Sequence, residues 1–370
     1  MHPKTAFSDD AVQMMPRREL HEWYLKHERP LPWRENPRPY ETWLCEVIMQ
    51  QTRIDQGTAY WQKFVNRWPD FRSLANASVD DVLKEWQGLG YYSRARNLHK
   101  TAQIIHTDFP NSHPTALNDW LSMPGIGPYT AAAICSICFD TPVAAIDGNV
   151  LRVLSRFLGI HEPIDRPSGR KPLEEFANAW VDPENPGRHN QAIMELGALT
   201  CTPHAPDCAN CPLQNACASQ QMPHEKGNIP PFKQGKTKVL DVALNFHVIV
   251  HDKRVLMCKR PDNGVWGGLW AFPSAEHPFQ NQAEPFDVPE ALGNQLVAKG
   301  PCGSPVKHLL SHRRLHVQFW LWESPLKNTS NLGDWKTWED AEALALPRVL
   351  ERSWEDVKKS ASQNASTTTA

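Results

Sequence analysis

The feature that most restricts how this chain can fold is a change of apolar period near residue 225. Before it, apolar residues recur at three- and four-residue spacing, as in Trp43, Leu44, Val47 and Ile48 or Leu151, Leu154 and Leu158, the stripe of an amphipathic helix. After it, Val239–Val250, Arg254–Arg260 and Leu315–Glu323 carry the short β-rich or alternating runs of strands. Residues 226–238 between them hold the adjacent pair Pro230 and Pro231, Gly227 and Gly235, and no amphipathic period, which predicts an extended linker. A length of 370 residues accommodates two or three folded units. The expected organisation is multidomain: an all-α core, then an α/β domain over 239–357. The tail 358–370 lacks the apolar surface needed to offset chain entropy and is expected to be disordered.

Charge and composition narrow the partner classes. With 39 basic and 41 acidic residues the net charge is −2, so any contact to nucleic acid must be local. No stretch approaches the ~18 uninterrupted apolar residues of a membrane span. The N-terminal region carries Asp9, Asp10, Arg17 and Arg18 where an export signal would have an apolar run. A cytoplasmic protein with no membrane partner is expected.

Four of the nine cysteines, Cys201, Cys208, Cys211 and Cys217, follow the spacing C-x6-C-x2-C-x5-C. An odd total clustered in this way suits a metal centre better than a disulfide framework. Structural zinc usually takes two paired C-x2-C knuckles and this segment has one, so the spacing favours a 4Fe–4S cluster over zinc. Cys45, Cys135 and Cys138 sit in helical apolar runs and read as core.

Two more segments carry chemistry. In Leu121–Thr130 the turn Gly125-Ile126-Gly127 opens onto an apolar helical run. Such a turn aims backbone N–H groups and the positive helix end outward, which suits a phosphate without net basic charge; an ordinary glycine turn would read the same. Asp147 precedes Gly148, Asn149 and an amphipathic run, where an aspartate is either a plain helix cap or a site carboxylate.

Taken together, the glycine hairpin, the Asp147-Gly148-Asn149 triplet and the four-cysteine loop resemble the endonuclease III, or helix-hairpin-helix, superfamily of base-excision DNA glycosylases. The segments Leu31–Arg34, Trp43–Thr52 and Gly88–Asn97 narrow the resemblance to the adenine DNA glycosylases within it, over almost the whole chain. The resemblance implies a six-helix domain with the hairpin over 31–140 and a helical cluster domain from 1–30 and 141–225. It also implies removal of adenine opposite 8-oxoguanine or guanine in duplex DNA, by base flipping and without strong lyase activity. The lyase members carry a lysine at the position of Tyr129, and this chain has no amine there.

By this resemblance Glu46 is the general acid that protonates adenine at N7, which requires a pKa raised by burial. Asp147 does the opposite and stays ionised, facing the positive charge that develops at C1′. Helical spacing would put Glu46 on one face with Gln50 and Arg53. Tyr129 and Asn149 flank the centre, and Leu31, Trp33, Arg34 and Glu195 match the adenine pocket. Gln50 and Tyr91 match the positions that fill the gap left by the flipped nucleotide, although Tyr91 could equally be a core aromatic. Gln51, Thr52, Gly125 and Gly127 complete the DNA-facing set. Between Cys201 and Cys217 there is no Lys or Arg, only His204 and Asp207, so phosphate contacts are expected to move to Arg94, Arg96 and Lys100.

Lys259–Pro273 resembles the start of a Nudix-like domain. Hydrolytic Nudix enzymes hold their metal ions on a glutamate-rich helix, and no such segment comes after Pro273, so 239–357 is expected to recognise the opposite base rather than hydrolyse. His308–His312 stands where the family carries a Phe-Ser-His loop. Leu310 replaces the aromatic, while Ser311 and His312 keep hydrogen-bonding capacity, with Thr52 and Tyr91 as further contacts to 8-oxoguanine. A monomer is expected. The rivals are a glycosylase for oxidised pyrimidines or mismatched thymine, a nucleotide pyrophosphohydrolase, and an iron–sulfur protein without catalysis. Tyr129 argues against the first and the missing glutamate box against the second.

Overall fold

The computed structural model describes residues 16–220, 229–235, 239–279, 296–325 and 333–366. The chain divides into two compact units, residues 1–75 with 100–235 and residues 76–99 with 236–370. Helices α1 (Arg17–His27), α2 (Pro39–Ile48), α3 (Ile54–Arg67) and α4 (Phe71–Ala75) open the chain, succeeded by α5 (Val79–Trp86) and α6 (Ser93–Asp108). Then come α7 (Leu117–Leu121), α8 (Pro128–Phe139), α9 (Gly148–Leu158), α10 (Pro167–Trp180) and α11 (Pro186–Leu199). Among these, α2, α8, α10 and α11 begin with proline, whose fixed φ and missing N–H suit a first helical turn.

In the first unit, α2 packs on α8, and Trp43 lies fully buried with Phe71 at 5.1 Å between ring centroids. A separate core gathers Leu20, Trp23, Leu154, Phe176, Trp180 and Leu196, with Cys201, Cys211 and Cys217 packed at its rim. The described part of the expected linker, residues 229–235, is tied to this unit rather than free: Ile164 N–H donates to Phe232 O at 3.0 Å. The remainder of that linker, 226–228 and 236–238, lies outside the described residues.

The second unit is a mixed sheet ordered β3-β2-β1-β7-β5. Its strands are β1 (Leu240–His251), β2 (Arg254–Lys259), β3 (Trp270–Ala271), β4 (Ser274–Pro278), β5 (Val297–Pro301), β6 (Val306–Leu309), β7 (Arg313–Glu323) and β8 (Asp334–Thr337). β1 runs parallel to β7, and β1 and β2 form a hairpin through Asp252 and Lys253, both at positive φ as a two-residue primed turn requires. Two helices close the described chain, α12 (Trp338–Ala343) and α13 (Arg348–Ser366).

Residues 76–99, expected from the sequence to belong to 31–140, group with this sheet. Lys84 Nζ donates to Glu342 O at 2.9 Å and Leu344 O at 2.8 Å, and Lys259 Nζ meets Asp80 Oδ1 at 2.6 Å. The expectation of a disordered tail from Lys358 is corrected as far as Ser366. Leu350, Trp354, Val357 and Ala361 are buried at helical spacing, and Trp354 stacks on Phe272 at 5.6 Å, so one apolar stripe carries α13 past Lys358. Residues 367–370, and residues 280–295 where a glutamate-rich helix was sought, lie outside the described residues.

Candidate active site

The first unit brings Glu46, Asp147, Tyr129, Arg34 and Glu195 into one electrostatic neighbourhood. Glu46 sits near the end of α2. Burial, with the Asp147 carboxylate as a second upward influence, raises it from its ordinary value of 4.5 to about 7, against a hydrogen bond from Tyr129 and the charge of Arg34. The face-sharing expectation for Gln50 and Arg53 fails, because α2 ends at Ile48. Met49 closes the helix, Gln51 takes a left-handed φ of 57°, and Thr52 N–H returns to Met49 O at 3.2 Å. The turn packs closely on α3: a side chain at Gly57 would collide with the Met49 thioether. Gln50 Nε2 instead donates to Thr130 Oγ1 at 3.3 Å, beside Tyr129, and Arg53 becomes the residue preceding α3.

Asp147 is the N-cap of α9, and its two oxygens divide the work. Oδ1 accepts from Val150 N–H at 2.7 Å and Oδ2 from Asn149 Nδ2 at 2.7 Å. The cap reading holds, and the same orientation is compatible with the site reading. Burial raises Asp147 as well as Glu46, so the two carboxyls are not pushed in opposite directions as expected. The Val150 and Asn149 donors oppose that rise by favouring the carboxylate. Burial also lifts the Tyr129 phenol well above its ordinary value, with the Glu46 and Asp147 carboxylates acting in the same direction. Its hydroxyl oxygen also lies 3.5 Å from Met194 Sδ.

Three residues that the sequence did not single out support this centre: Arg29, Arg152 and Gly197. Arg29 forms two bonds to the Glu195 carboxylate at 2.7 Å each, and Arg34 Nη2 adds another at 2.9 Å. Burial pushes Glu195 up, but the two guanidiniums outweigh it and hold the carboxylate down at about 2. Leu31 is buried, and its carbonyl accepts from Arg34 N–H at 2.9 Å; Trp33 stands edge-on to Trp61 at 5.5 Å. Arg152, one turn into α9, donates to Asn149 Oδ1 at 2.7 Å, Gly197 O at 2.7 Å and Cys201 O at 2.8 Å. Gly197 completes the fit: a Cβ there would lie 2.6 Å from Asn149 Cβ. The available signal was the i, i+4 pair Arg152 and Arg156 on the helix that Asp147 starts.

The hairpin before α8 buries Ile126 and leaves Gly125 and Gly127 exposed, with Gly125 at φ +75°. Their main chain is therefore open to a ligand, as the phosphate reading requires.

Cys201, Cys208, Cys211 and Cys217 line one cavity with Arg156, whose Nη1 lies 3.3 Å from Cys201 Sγ. Arg156 is buried and also donates to Thr202 O at 2.7 Å and Pro230 O at 2.8 Å. Among the described residues no three His, Cys, Asp or Glu side chains are grouped so as to hold a single metal ion. Four thiols converging on one cavity nevertheless fit the donor set of an iron–sulfur cluster.

In the second unit, Tyr91 is 51% exposed and so is not a core aromatic; Tyr92 takes that place. Its φ of 47° comes after Gly88 and Gly90, both also left-handed. The Tyr91 hydroxyl lies 2.7 Å from Ser311 Oγ, joining two candidates 220 residues apart. Ser311 and exposed His312 form the tip between β6 and β7, closed by Leu310 N–H to Arg313 O at 2.8 Å. In the expected phosphate patch Lys100 is exposed, whereas the two arginines are engaged within their own unit. Arg94 lies over the Trp86 ring at 5.0 Å and donates to Gly90 O at 3.2 Å, while Arg96 donates to Asp262 O at 2.7 Å and to Gly267 O. Both guanidiniums hold loops of their own unit.

Residues 44–180 match the HhH-GPD superfamily of base excision DNA repair proteins, and residues 245–356 match the NUDIX domain. The adenine DNA glycosylase of Mus musculus is 31% identical over 417 residues, spanning 96% of this chain and 80% of its own. That of Buchnera aphidicola subsp. Schizaphis graminum is 30% identical, spanning 91% and 96%. The chain belongs to the adenine DNA glycosylase family. It is thus a base-excision DNA glycosylase, an enzyme with a helix-hairpin-helix core and a C-terminal Nudix domain. A thermostable thymine-DNA glycosylase shares the fold, with TM-score 0.51 and 23% identity over 55% of this chain and 94% of that one. Glu46, Tyr129, Asp147 and Asn149 all fall within the matched span 44–180.

Proposed function

We propose that this glycosylase removes adenine mispaired with 8-oxoguanine or guanine, acting as a monomer on duplex DNA without lyase chemistry. The observation that carries the proposal is the pair Glu46 and Asp147 beside a phenol: one carboxyl raised to about 7, the other held by two donors at 2.7 Å. Adenine leaves poorly as an anion, so Glu46 delivers its proton to N7 as the N-glycosidic bond lengthens. Asp147, oriented by Asn149 and Val150 N–H, faces the sugar and stabilises the positive charge at C1′ until water adds there. Tyr129 interacts with both carboxyls and, being no amine, forms no Schiff base with the opened sugar. Arg34 and Glu195, fixed to each other, line the base pocket with Leu31 and Trp33.

Gln50 and Tyr91 fill the gap left by the extruded nucleotide, with Gln51, Thr52 and the Gly125–Gly127 hairpin on the backbone. Tyr91, Thr52, Ser311 and His312 read the opposite base, where the 8-oxo group and its N7–H offer one acceptor and one donor that guanine lacks. Cys201, Cys208, Cys211 and Cys217 would hold one 4Fe–4S cluster. Such a cluster supplies four thiolate–iron bonds that fix the loop's shape.

Single-turnover reaction of a duplex with adenine opposite 8-oxoguanine, divided into alkali-treated and untreated halves, tests the proposal. Strand breaks only after alkali are expected. Breaks without alkali would reveal an unassigned amine, and no adenine release from iron-replete protein would reject the substrate.

A further inference from the structure

An open cavity in the first unit is lined by Asp147 and Asn149 and by the segment Ile229–Lys233. That segment is stapled to the unit from several directions. Arg156 Nε donates to Pro230 O at 2.8 Å, and Phe232 stacks on His161 at 5.5 Å. The Asp165 carboxylate accepts from Gln234 N–H at 3.1 Å and Gly235 N–H at 3.2 Å. Asp165 stays below its ordinary pKa because of those main-chain donors, so it remains anionic and keeps the staple at neutral pH.

The cations around this cavity differ in what they are free to do. Arg152 and Arg156 donate to main-chain carbonyls, and Arg170 pairs with Glu174 at 2.6 Å. Lys233 is exposed and donates no hydrogen bond among the described residues; its charge acts on Asp165, whose oxygens are already taken by main-chain donors. Covalent continuity of the substrate adds a second constraint. The sugar whose C1′ faces Asp147 carries a phosphate on each side, so the backbone of that strand must run along the walls of the cavity holding Asp147.

We infer that Lys233, held in place by the Asp165 staple, is a contact to a backbone phosphate of the strand that loses its base. The docked segment thereby serves as part of the DNA-binding surface and not only as a tether. This rests on the reading of Asp147 as the group facing the sugar.

The test is equilibrium binding of the full, iron-replete chain to a duplex bearing a tetrahydrofuran abasic analogue, from about 50 to 200 mM salt. Lys233→Ala should flatten the slope of log affinity against log salt by about 0.9 and weaken binding at the low-salt end by about fivefold. Lys233→Arg should restore both. Asp165→Ala, which leaves the lysine charge but releases its anchor, should also weaken binding, and adding Lys233→Ala to it should weaken binding less than on the wild type. An unchanged slope in Lys233→Ala, or full additivity of the two substitutions, overturns the inference. Adenine release by a wild type whose slope ignores Lys233 rejects this inference and leaves the substrate reading standing. A Lys233-dependent slope in a protein that releases no adenine does the reverse.

Discussion

Glu46→Gln removes the titrating proton while keeping the side chain's shape, and its effects on stability and activity should oppose each other. Burial and the neighbouring Asp147 hold the Glu46 carboxyl at about 7 against an ordinary 4.5. Over that window the native state keeps a proton that the unfolded chain has released, so wild-type stability falls as pH rises from about 4.5, and the penalty is nearly complete by about pH 8. Gln is neutral throughout. The advantage of Glu46→Gln over wild type should therefore widen by up to about 2–3 kcal/mol between about pH 5 and pH 8, partial exposure of the side chain reducing this limit. Urea midpoints at the two pH values measure it. Activity moves the other way: loss of the acid should lower single-turnover base release by roughly 10²–10⁴. In the wild type, release should decline above about pH 7, approaching tenfold per pH unit. A wild-type rate that climbs through that region, or a stability difference that does not change with pH, would refute Glu46 as the buried proton donor.

Gly197→Ala places a methyl 2.6 Å from Asn149 Cβ, so α11 and the start of α9 must separate. A loss of roughly 1–3 kcal/mol in thermal melting and a slower base release are expected, and an unchanged rate would mean that Asn149 does not position Asp147. Arg29→Ala leaves the Glu195 carboxylate, 1% exposed, to Arg34 alone and should cost roughly 3 kcal/mol at neutral pH. Because Glu195 is held at about 2, its contribution is present above about pH 4.5 and lost as pH falls toward 2; acid unfolding of Arg29→Ala should begin at higher pH, and an unshifted midpoint would contradict the pairing. Tyr91→Phe removes one 2.7 Å bond at an exposed site, changing stability by less than ~1 kcal/mol while lowering discrimination between 8-oxoguanine and guanine opposite adenine. Equal discrimination in competition assays would detach Tyr91 from lesion reading.

What could be read from the sequence and what could not divide along a physical line. The glycine hairpin and the Asp147 cap are local demands of the backbone, a left-handed φ at Gly125 and an acceptor for Val150 N–H, and local demands leave local signatures. The supports of the site are not local. Arg29 reaches Glu195 across 166 residues, and nothing about an arginine two positions before Leu31 distinguishes it from a solvated one. Gly197 is needed only because Asn149 lies opposite it in space. Distance along the chain explains the errors as well. The helical period through Trp43–Ile48 suggested that Gln50 and Arg53 continue the face of Glu46, but the chain leaves the helix at Met49, which packs against Gly57. In the basic run at Arg94 and Arg96, carbonyls from Gly90, Asp262 and Gly267 engage part of the donor set, and those partners are equally remote from any sequence signal.

If Asp147 faces the sugar as proposed, a fold signal and a catalytic signal coincide in it. An N-cap carboxylate serves best when ionised and oriented to accept a helix N–H, and those are also the properties that stabilise a cation at C1′. Oδ1 is committed to Val150 and Oδ2 to Asn149, which fixes the carboxylate's orientation; on the proposed reading the sugar has to be brought to it. Arg152 fixes the next link by holding Asn149 Oδ1 and the carbonyls of Gly197 and Cys201 at once. A site built this way has little slack. Rigid placement of the anion suits a transition state whose charge develops at one carbon, and it makes the loop that starts at Cys201 part of the same support as the carboxylate.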